Sequence, residues 1–450
     1  MQQPSSVGLW PAFLTLFAFP LSAQLETRPP VLQLSLKQAV QIALAPEGNT
    51  RVQLAEESLK QAEAQASESR AALLPDLESY VTEEAQTRNL KALGINFNFP
   101  AYLGFSLPAL VGYDVFDARA TVNQNIFDFA SIRRFQASKV TVQAIKADRE
   151  GTHNQVTDQV ARAYLTGVRA VAGLETAQAN VDLSEALLKL ARHQKEAGTG
   201  TGIEVTRAQV QLANDRQHLL VAQNDVDRAQ LDLLKVLGIR LDSPVELTDK
   251  LSYVAVEAMD EAKAIETARK TRAELQAQQH REDSARLSYS SVKWERLPSV
   301  GGFADYGSIG TGIGDAVATH TYGVTVRVPL FDGGRRDARR VESASLYKQE
   351  RIRTADLKDQ VELDVRLALD SLRSADDQVK VSEEGLHLSE NELAQARRRY
   401  EAGVTNSVEV TDAQTRLDRA RDNRITALYN YNLARIDLAT AMGTIQSMIQ

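Results

Sequence analysis

Two acids, Glu409 and Asp412, lie three residues apart in the stretch Tyr400-Glu-Ala-Gly-Val-Thr-Asn-Ser-Val-Glu-Val-Thr-Asp-Ala413. The stretch reads as a tight turn followed by the first turn of a helix, so the two side chains are neighbours on adjoining faces. Two readings of them stand side by side. Acids at a helix N-terminus are favoured by the macrodipole and need no further role. If copies of the chain surround an axis, each acid becomes a ring, and rings of Asp or Glu in a pore favour cations. Other chemistry finds no support. The chain has no cysteine, which excludes disulfides, thiolate metal sites, thiol catalysis and a lipoprotein anchor. Its 6 histidines are scattered, and no Gly-rich loop follows a strand in a phosphate-binding context. No catalytic, cofactor-binding or metal-ligating residue is assigned, and the chain is not read as an enzyme.

The turn has a near-copy at Glu196-Ala-Gly-Thr-Gly-Thr-Gly-Ile-Glu-Val-Thr-Arg-Ala-Gln209. Gly198 pairs with Gly403, Glu204 with Glu409, Val205 with Val410 and Ala208 with Ala413, always 205 residues apart (403 − 198). A fixed period of this kind marks a duplicated unit and governs the rest of the reading. Arg207 in the first copy is a candidate cation for the tip, without a position that the sequence fixes.

The elements that carry these turns follow in order. Leu9 to Pro20 is an apolar run ahead of Leu21-Ser-Ala23, so residues 1–23 are expected to be a secretory signal peptide. A hydrophobic N-terminal segment of the mature chain is the alternative. Beyond it, no apolar run approaches the ~20 residues of a membrane helix. The net charge of −7 argues against a nucleic-acid surface. Ser35 is an expected N-cap, and the helical pattern, interrupted near Pro46 to Asn49, stops at Leu74-Pro75. Strands are expected over about 76–128, the better one from Phe116 to Phe127, with Lys91 to Gly112 as a loop. A long helix over about 130–197 has a large row at Val160, Gly167, Leu174, Val181 and Leu188. A small row at Val156, Ala163, Ala170, Ala177, Ser184 and Ala191 completes a heptad pattern, the signal of a coiled coil. A second helix carries Leu212, Leu219, Val226 and Leu233 and ends at Gly238.

Residues 239–260 break the periodicity and form a connector between the first repeat, 24–238, and the second, 261–450. The second repeat reads as a continuous helix from Glu261 to Leu297, strands over about 299–330, a long helix to about Ala402, the turn, and a last helix. The clearest strand is His320 to Leu330, and Phe331-Asp332 matches Phe127-Asp128 at the entry to each long helix. Tyr400 ends the large heptad row, where plain packing is a sufficient reason for it. Strands with one apolar and one polar face fit a membrane β-barrel, and barrels that span membranes have at least ~8 strands. One chain offers about four, so a membrane barrel requires several chains.

The duplicated plan, the Leu-Pro helix stops, the Phe-Asp turns and the two Gly-to-Glu-Val tips resemble the TolC family of outer-membrane efflux proteins over essentially all of Ser35 to Gly443. The resemblance implies a mainly α fold with a membrane β-barrel, in which long antiparallel coiled-coil helices form an α-barrel. It further implies a homotrimer in which four strands per chain complete a twelve-stranded barrel, and residues 239–260 join an equatorial belt. It implies export of small molecules through the bacterial outer membrane, with a periplasmic membrane-fusion adaptor and, through it, an inner-membrane pump as partners. By resemblance Glu409 and Asp412 form the periplasmic gate ring, and Tyr400 with Glu204 the gate latch. Gly198 and Gly202 of the first tip, with Gly403, Val404 and Thr405 of the second, are where the adaptor docks. Thr405 departs from the family pattern, which has an arginine in the lock. A type I protein-secretion exit duct, and a non-channel periplasmic coiled-coil protein, are the alternatives.

Overall fold

A computed structural model describes residues 31–92, 94, 109–256 and 259–449. The expected signal peptide and most of the expected Lys91–Gly112 loop lie outside the described residues. The chain runs through β1 (Leu32–Leu34), α1 (Leu36–Leu44), α2 (Thr50–Ala71), β2 (Asp76–Asn89), β3 (Leu110–Phe127), α3 (Phe129–Glu196) and α4 (Gly202–Leu237). β4 (Val245–Leu247) lies in the connector, and the second repeat follows as α5 (Glu261–Thr271), α6 (Ala273–Trp294), β5 (Ser299–Gly310), β6 (Val317–Arg327), α7 (Arg335–Glu401), α8 (Ser407–Ala441) and α9 (Ile445–Ile449). Among the described residues no helix is long and apolar enough to cross a membrane.

Ser35 caps α1 as its sequence demands. The Ser35 hydroxyl accepts from the Gln38 amide at 3.3 Å and the Gln38 side chain accepts from the Ser35 amide at 3.0 Å, a reciprocal capping box. Asn49 caps α2 by accepting from the Arg51 amide at 2.8 Å, so the interruption at Pro46–Asn49 is a true break. β2, β3, β5 and β6 form one antiparallel sheet in that order, and β1 pairs in parallel with β4 across the connector. The sheet extends the expected strands at one end and shortens them at the other. β3 begins at Leu110 rather than Phe116, because its ladder with β2 continues to Asn89↔Leu110. β6 ends at Arg327, short of the expected Leu330, since Pro329 has no N–H to give a ladder.

The long helices α3 and α7 have 68 and 67 residues. At 1.5 Å per residue each is about 100 Å long. α3 packs antiparallel with α4 and α7 with α8, along the rows that the heptads define: Val156, Val160, Val181, Ser184, Leu188 and Ala191 are all buried. The duplication is physical. Val156, Val160, Leu233 and Leu237 lie in one core cluster, and Val361, Val365, Leu438 and Met442, each 205 residues on, lie in another. The expected helix 261–297 is broken at Arg272, which is extended (φ −63°, ψ 112°). The break frees that guanidinium to donate to the Ala441 carbonyl at 3.2 Å and to pair with Asp364 at 3.3 Å, tying α5, α7 and α8 together. Nothing in local composition announces this, because the partners come from distant segments.

Candidate functional site at the hairpin tips

Both tips close on a glycine in the left-handed region, Gly198 at φ 76° and Gly403 at φ 70°. The bonds that follow are equivalent: Thr199 N–H donates to Gln194 O at 2.9 Å and Val404 N–H to Arg399 O at 3.0 Å. Each is the six-residue closure of a Schellman end, which an L side chain at the glycine would strain. The next helix starts differently in the two copies. Glu204 folds back so that its carboxylate accepts from the Thr201 amide at 2.8 Å and hydroxyl at 3.1 Å, while Asn406 accepts from the Val408 amide at 3.0 Å. Gly202 opens α4, and Val404 and Gly403 are exposed at the crest of the second tip.

The two expected ring acids do not share an environment. Glu409 is half-buried, accepts from the Thr405 hydroxyl and pairs with Arg399 at 3.3 Å across its own turn. Asp412 is exposed, and no bond or ion pair among the described residues engages its carboxylate. Arg399 was not legible as a site residue, because its contact with Glu409 requires the turn to fold first. It gives the tip a cation where Thr405 does not.

Tyr400 is only 5 % exposed, and its hydroxyl has no hydrogen-bond partner among the described residues. Burial, and then the charge of Glu204, push its phenol up from the ordinary value. Tyr400 and Glu204 open onto one cavity of about 30 Å³, together with Arg207 and Ser407, whose hydroxyl is also buried without a partner. Within one chain the latch pair is therefore adjacent without being bonded. The Gln194 side chain donates to the Tyr400 carbonyl at 3.4 Å, which links the two hairpins just above their tips.

Two duplicated helical hairpins, each with one arm about 100 Å long and one about half that, together with a four-stranded antiparallel sheet, define the architectural class of the chain. The family model described as outer membrane efflux protein matches residues 42–239 and 264–444, and the chain belongs to that family. The family consists of outer-membrane channels rather than enzymes. The chain is 24 % identical over 348 residues to the outer membrane protein TolC of Vibrio cholerae serotype O1, covering 74 % of this chain and 77 % of that protein. It is 24 % identical over 334 residues to the outer membrane efflux protein BepC of Brucella suis biovar 1, covering 72 % and 71 %. The crystal structure of the outer membrane protein VceC from Vibrio cholerae superposes with a TM-score of 0.76 at 17 % identity, over 91 % of this chain and 96 % of that one. The expected family and outer-membrane location are thereby established.

Proposed function

We propose that three copies of the chain close into one outer-membrane channel-tunnel that exports small molecules. The observation that carries this reading is the open sheet. β2 and β6 are its edges, 14 and 11 residues long, and neither has an outer partner among the described residues. Lipid tolerates no unpaired strand edge, so the sheet enters a bilayer only by pairing β6 of one copy with β2 of the next. Three four-stranded sheets make twelve strands, within the size range of membrane barrels. The α3/α4 and α7/α8 hairpins of the three copies then continue the barrel as a periplasmic tunnel. An adaptor docks at the tips carrying Gly198, Gly202, Gly403, Val404 and Thr405 and couples the tunnel to an inner-membrane pump.

The expected result in membrane fractions is an oligomer that migrates as a trimer unheated and as a monomer after boiling. Migration as a monomer under both conditions, with the protein in the soluble periplasmic fraction, would reverse the reading in favour of a non-channel coiled coil. Restored expulsion of a dye from cells lacking their own exit duct tests the small-molecule cargo; secretion of a protein without dye export points to the secretion alternative.

At the gate, the exposed Asp412 carries more of the proposed cation selectivity than Glu409, which Arg399 already balances. Asp412→Ala is expected to weaken block by divalent cations severalfold in planar bilayers, and Glu409→Ala to do less. Unchanged conductance and block in both variants would sink the ring.

A further inference from the structure

A second polar contact joins the hairpins deeper in the seam, on the tunnel side of the tips. Asp215 of α4 is 4 % exposed and Gln414 of α8 is 1 % exposed. The Asp215 carboxylate accepts from the Ser184 hydroxyl of α3 and, at 3.0 Å, from the Gln211 side chain. The Gln414 amide donates to the Ser184 oxygen at 2.8 Å and reaches Asp215 at 3.5 Å. Three helices from both hairpins thus meet on one buried acid. One turn along α8, Asp418 adds a second carboxyl, with a buried oxygen that finds no partner among the described residues.

The duplication makes these acids conspicuous. Asp215 stands where the other repeat has Ala420, and Asp418 stands where it has Ala213. Both belong to positions at which a small apolar residue suffices for helix packing, and a buried acid costs stability unless it is paired. The structure therefore contains two departures from the alanine seam, and both line the same groove between the hairpins.

We propose that Asp215, Ser184, Gln414 and Asp418 form a proton-dependent clasp that holds the α7/α8 hairpin against α3/α4 and opposes opening of the tunnel. The proposal rests on the channel reading above. Burial first, and then the charge of Asp215, raise the Asp418 carboxyl to about 6, against smaller opposing contributions from Arg421 and His218. The polar and charged groups that line the groove with it come from α3, α4 and α8. α4 presents Asp215 and His218, and α3 presents Ser184 and Asn180, the latter accepting from Arg421 at 2.7 Å. α8 itself adds Arg419, Arg421 and Asp422, and the groove that continues along the seam carries Arg169, Asp225, Arg228 and Asp232.

The sign follows from the direction of the shift. A carboxyl held above its ordinary value binds a proton more tightly in the clasped form than in the released form. The stabilisation is complete below the ordinary carboxylate range and is lost as pH rises through about 6. Near pH 5 Asp418 keeps its proton; near pH 7 it brings a charge into a desolvated site beside Asp215. Clasping is accordingly strongest in acid. A carboxyl raised to about 6, discounted because the group is half-buried, corresponds to roughly a tenfold change in the closed-to-open ratio.

The test is single-channel recording of the full-length channel in planar bilayers between pH 5 and pH 7.5. The wild type is expected to open about tenfold less often at the acidic end. Asp418→Asn, which mimics the protonated acid, is expected to stay in the low-opening condition across the range. Asp418→Ala, which restores the residue type of the other repeat, is expected to remove the pH response without that closed bias. A pH response in Asp418→Asn equal to the wild type overturns the clasp, as does a wild type with no response between pH 5 and 7.5. No channels from the wild type at any pH would refute the channel reading itself. Should Asp418→Asn fail to assemble, Asp418→Ala and the pH dependence of trimer melting decide the matter, because a merely structural role would shift melting equally at every pH.

Discussion

Gly238→Ala and Gly443→Ala are each expected to destabilise the protein by about 3 kcal/mol, more than any other alanine substitution of a helix-end glycine in the chain. The two residues are 205 apart and terminate α4 and α8 in the left-handed region, at φ 75° and 69°. An L side chain there costs roughly 1–2 kcal/mol in backbone strain alone. Here it also collides. A Cβ on Gly238 would lie 2.8 Å from the Gly48 carbonyl oxygen, and one on Gly443 would lie 2.9 Å from the carbonyl of Thr271. Those contacts are backbone atoms at the breaks between α1 and α2 and between α5 and α6, and they cannot rotate away. Overpacking of this kind adds about 1–3 kcal/mol. Gly198 and Gly403 provide the control, since they have φ of 76° and 70° but nothing within 4 Å of the added carbon. Gly198→Ala and Gly403→Ala should show the strain without the collision. Melting of the solubilised protein at a fixed scan rate ranks the four; equal losses at all of them would show that close approach at the breaks has no energetic weight.

These glycines also mark the limit of what the sequence reveals. That Gly238 and Gly443 end helices is legible from the heptads stopping there and from the 205-residue period. That each presses into a helix break is not, because the break in the second repeat falls at Arg272, inside a segment with good helical composition. Its cause is tertiary: the Arg272 guanidinium and the Thr271 hydroxyl meet the end of α8, about 170 residues away, at Ala441 and Met442. The same distinction runs through the tip. Helices, turn and acids are set by local rules of capping and periodicity. The pairing of Glu409 with Arg399, and the separation of the Tyr400 hydroxyl from Glu204 by a small cavity, depend on how the turn folds and how the hairpins lean together. Strand ends follow the same logic, since ladder pairing with β2 extends β3 to Leu110 whereas Pro329 ends β6 by a purely local mechanism. Asp215 is an intermediate case. An acid in an alanine row is visible in the sequence, but its acceptance of hydrogen bonds from Ser184 and Gln211 is not.

The core beside the connector differs in chemistry between the two repeats, and Tyr164→Phe is expected to expose that difference with a loss of about 2 kcal/mol. Tyr164 is 1 % exposed at the centre of the first core cluster, while its counterpart 205 residues on is Leu369 in an apolar cluster. The Tyr164 hydroxyl lies 2.9 Å from the Leu34 carbonyl and 2.8 Å from the Asp249 carboxylate, and it accepts from the Asp249 amide at 3.3 Å. Asp249 in turn accepts from the Leu36 amide at 2.8 Å, so one phenol fixes β1, the start of α1 and the connector onto α3. Removing it leaves the ring packed and deletes a hydrogen bond to a charged carboxylate, the stronger class of such bonds, while Asp249 keeps the Leu36 amide and the Leu34 carbonyl keeps the Thr248 amide. Burial, followed by the bond to Asp249, raises the phenol above its ordinary value. The folded state therefore keeps the proton, and the contribution is complete below the ordinary tyrosine pKa of about 10 and fades only above it. The gap in melting temperature between wild type and Tyr164→Phe should thus be constant from pH 5 to 9, in contrast to the response of Asp418. Hydrogen exchange should place the loss locally, at the amides of Leu36 and Thr248, the second of which donates to the Leu34 carbonyl at 3.0 Å. Unaltered protection at both amides, with a stability change under about 0.5 kcal/mol, would mean that strand pairing between β1 and β4 holds this core without the phenol.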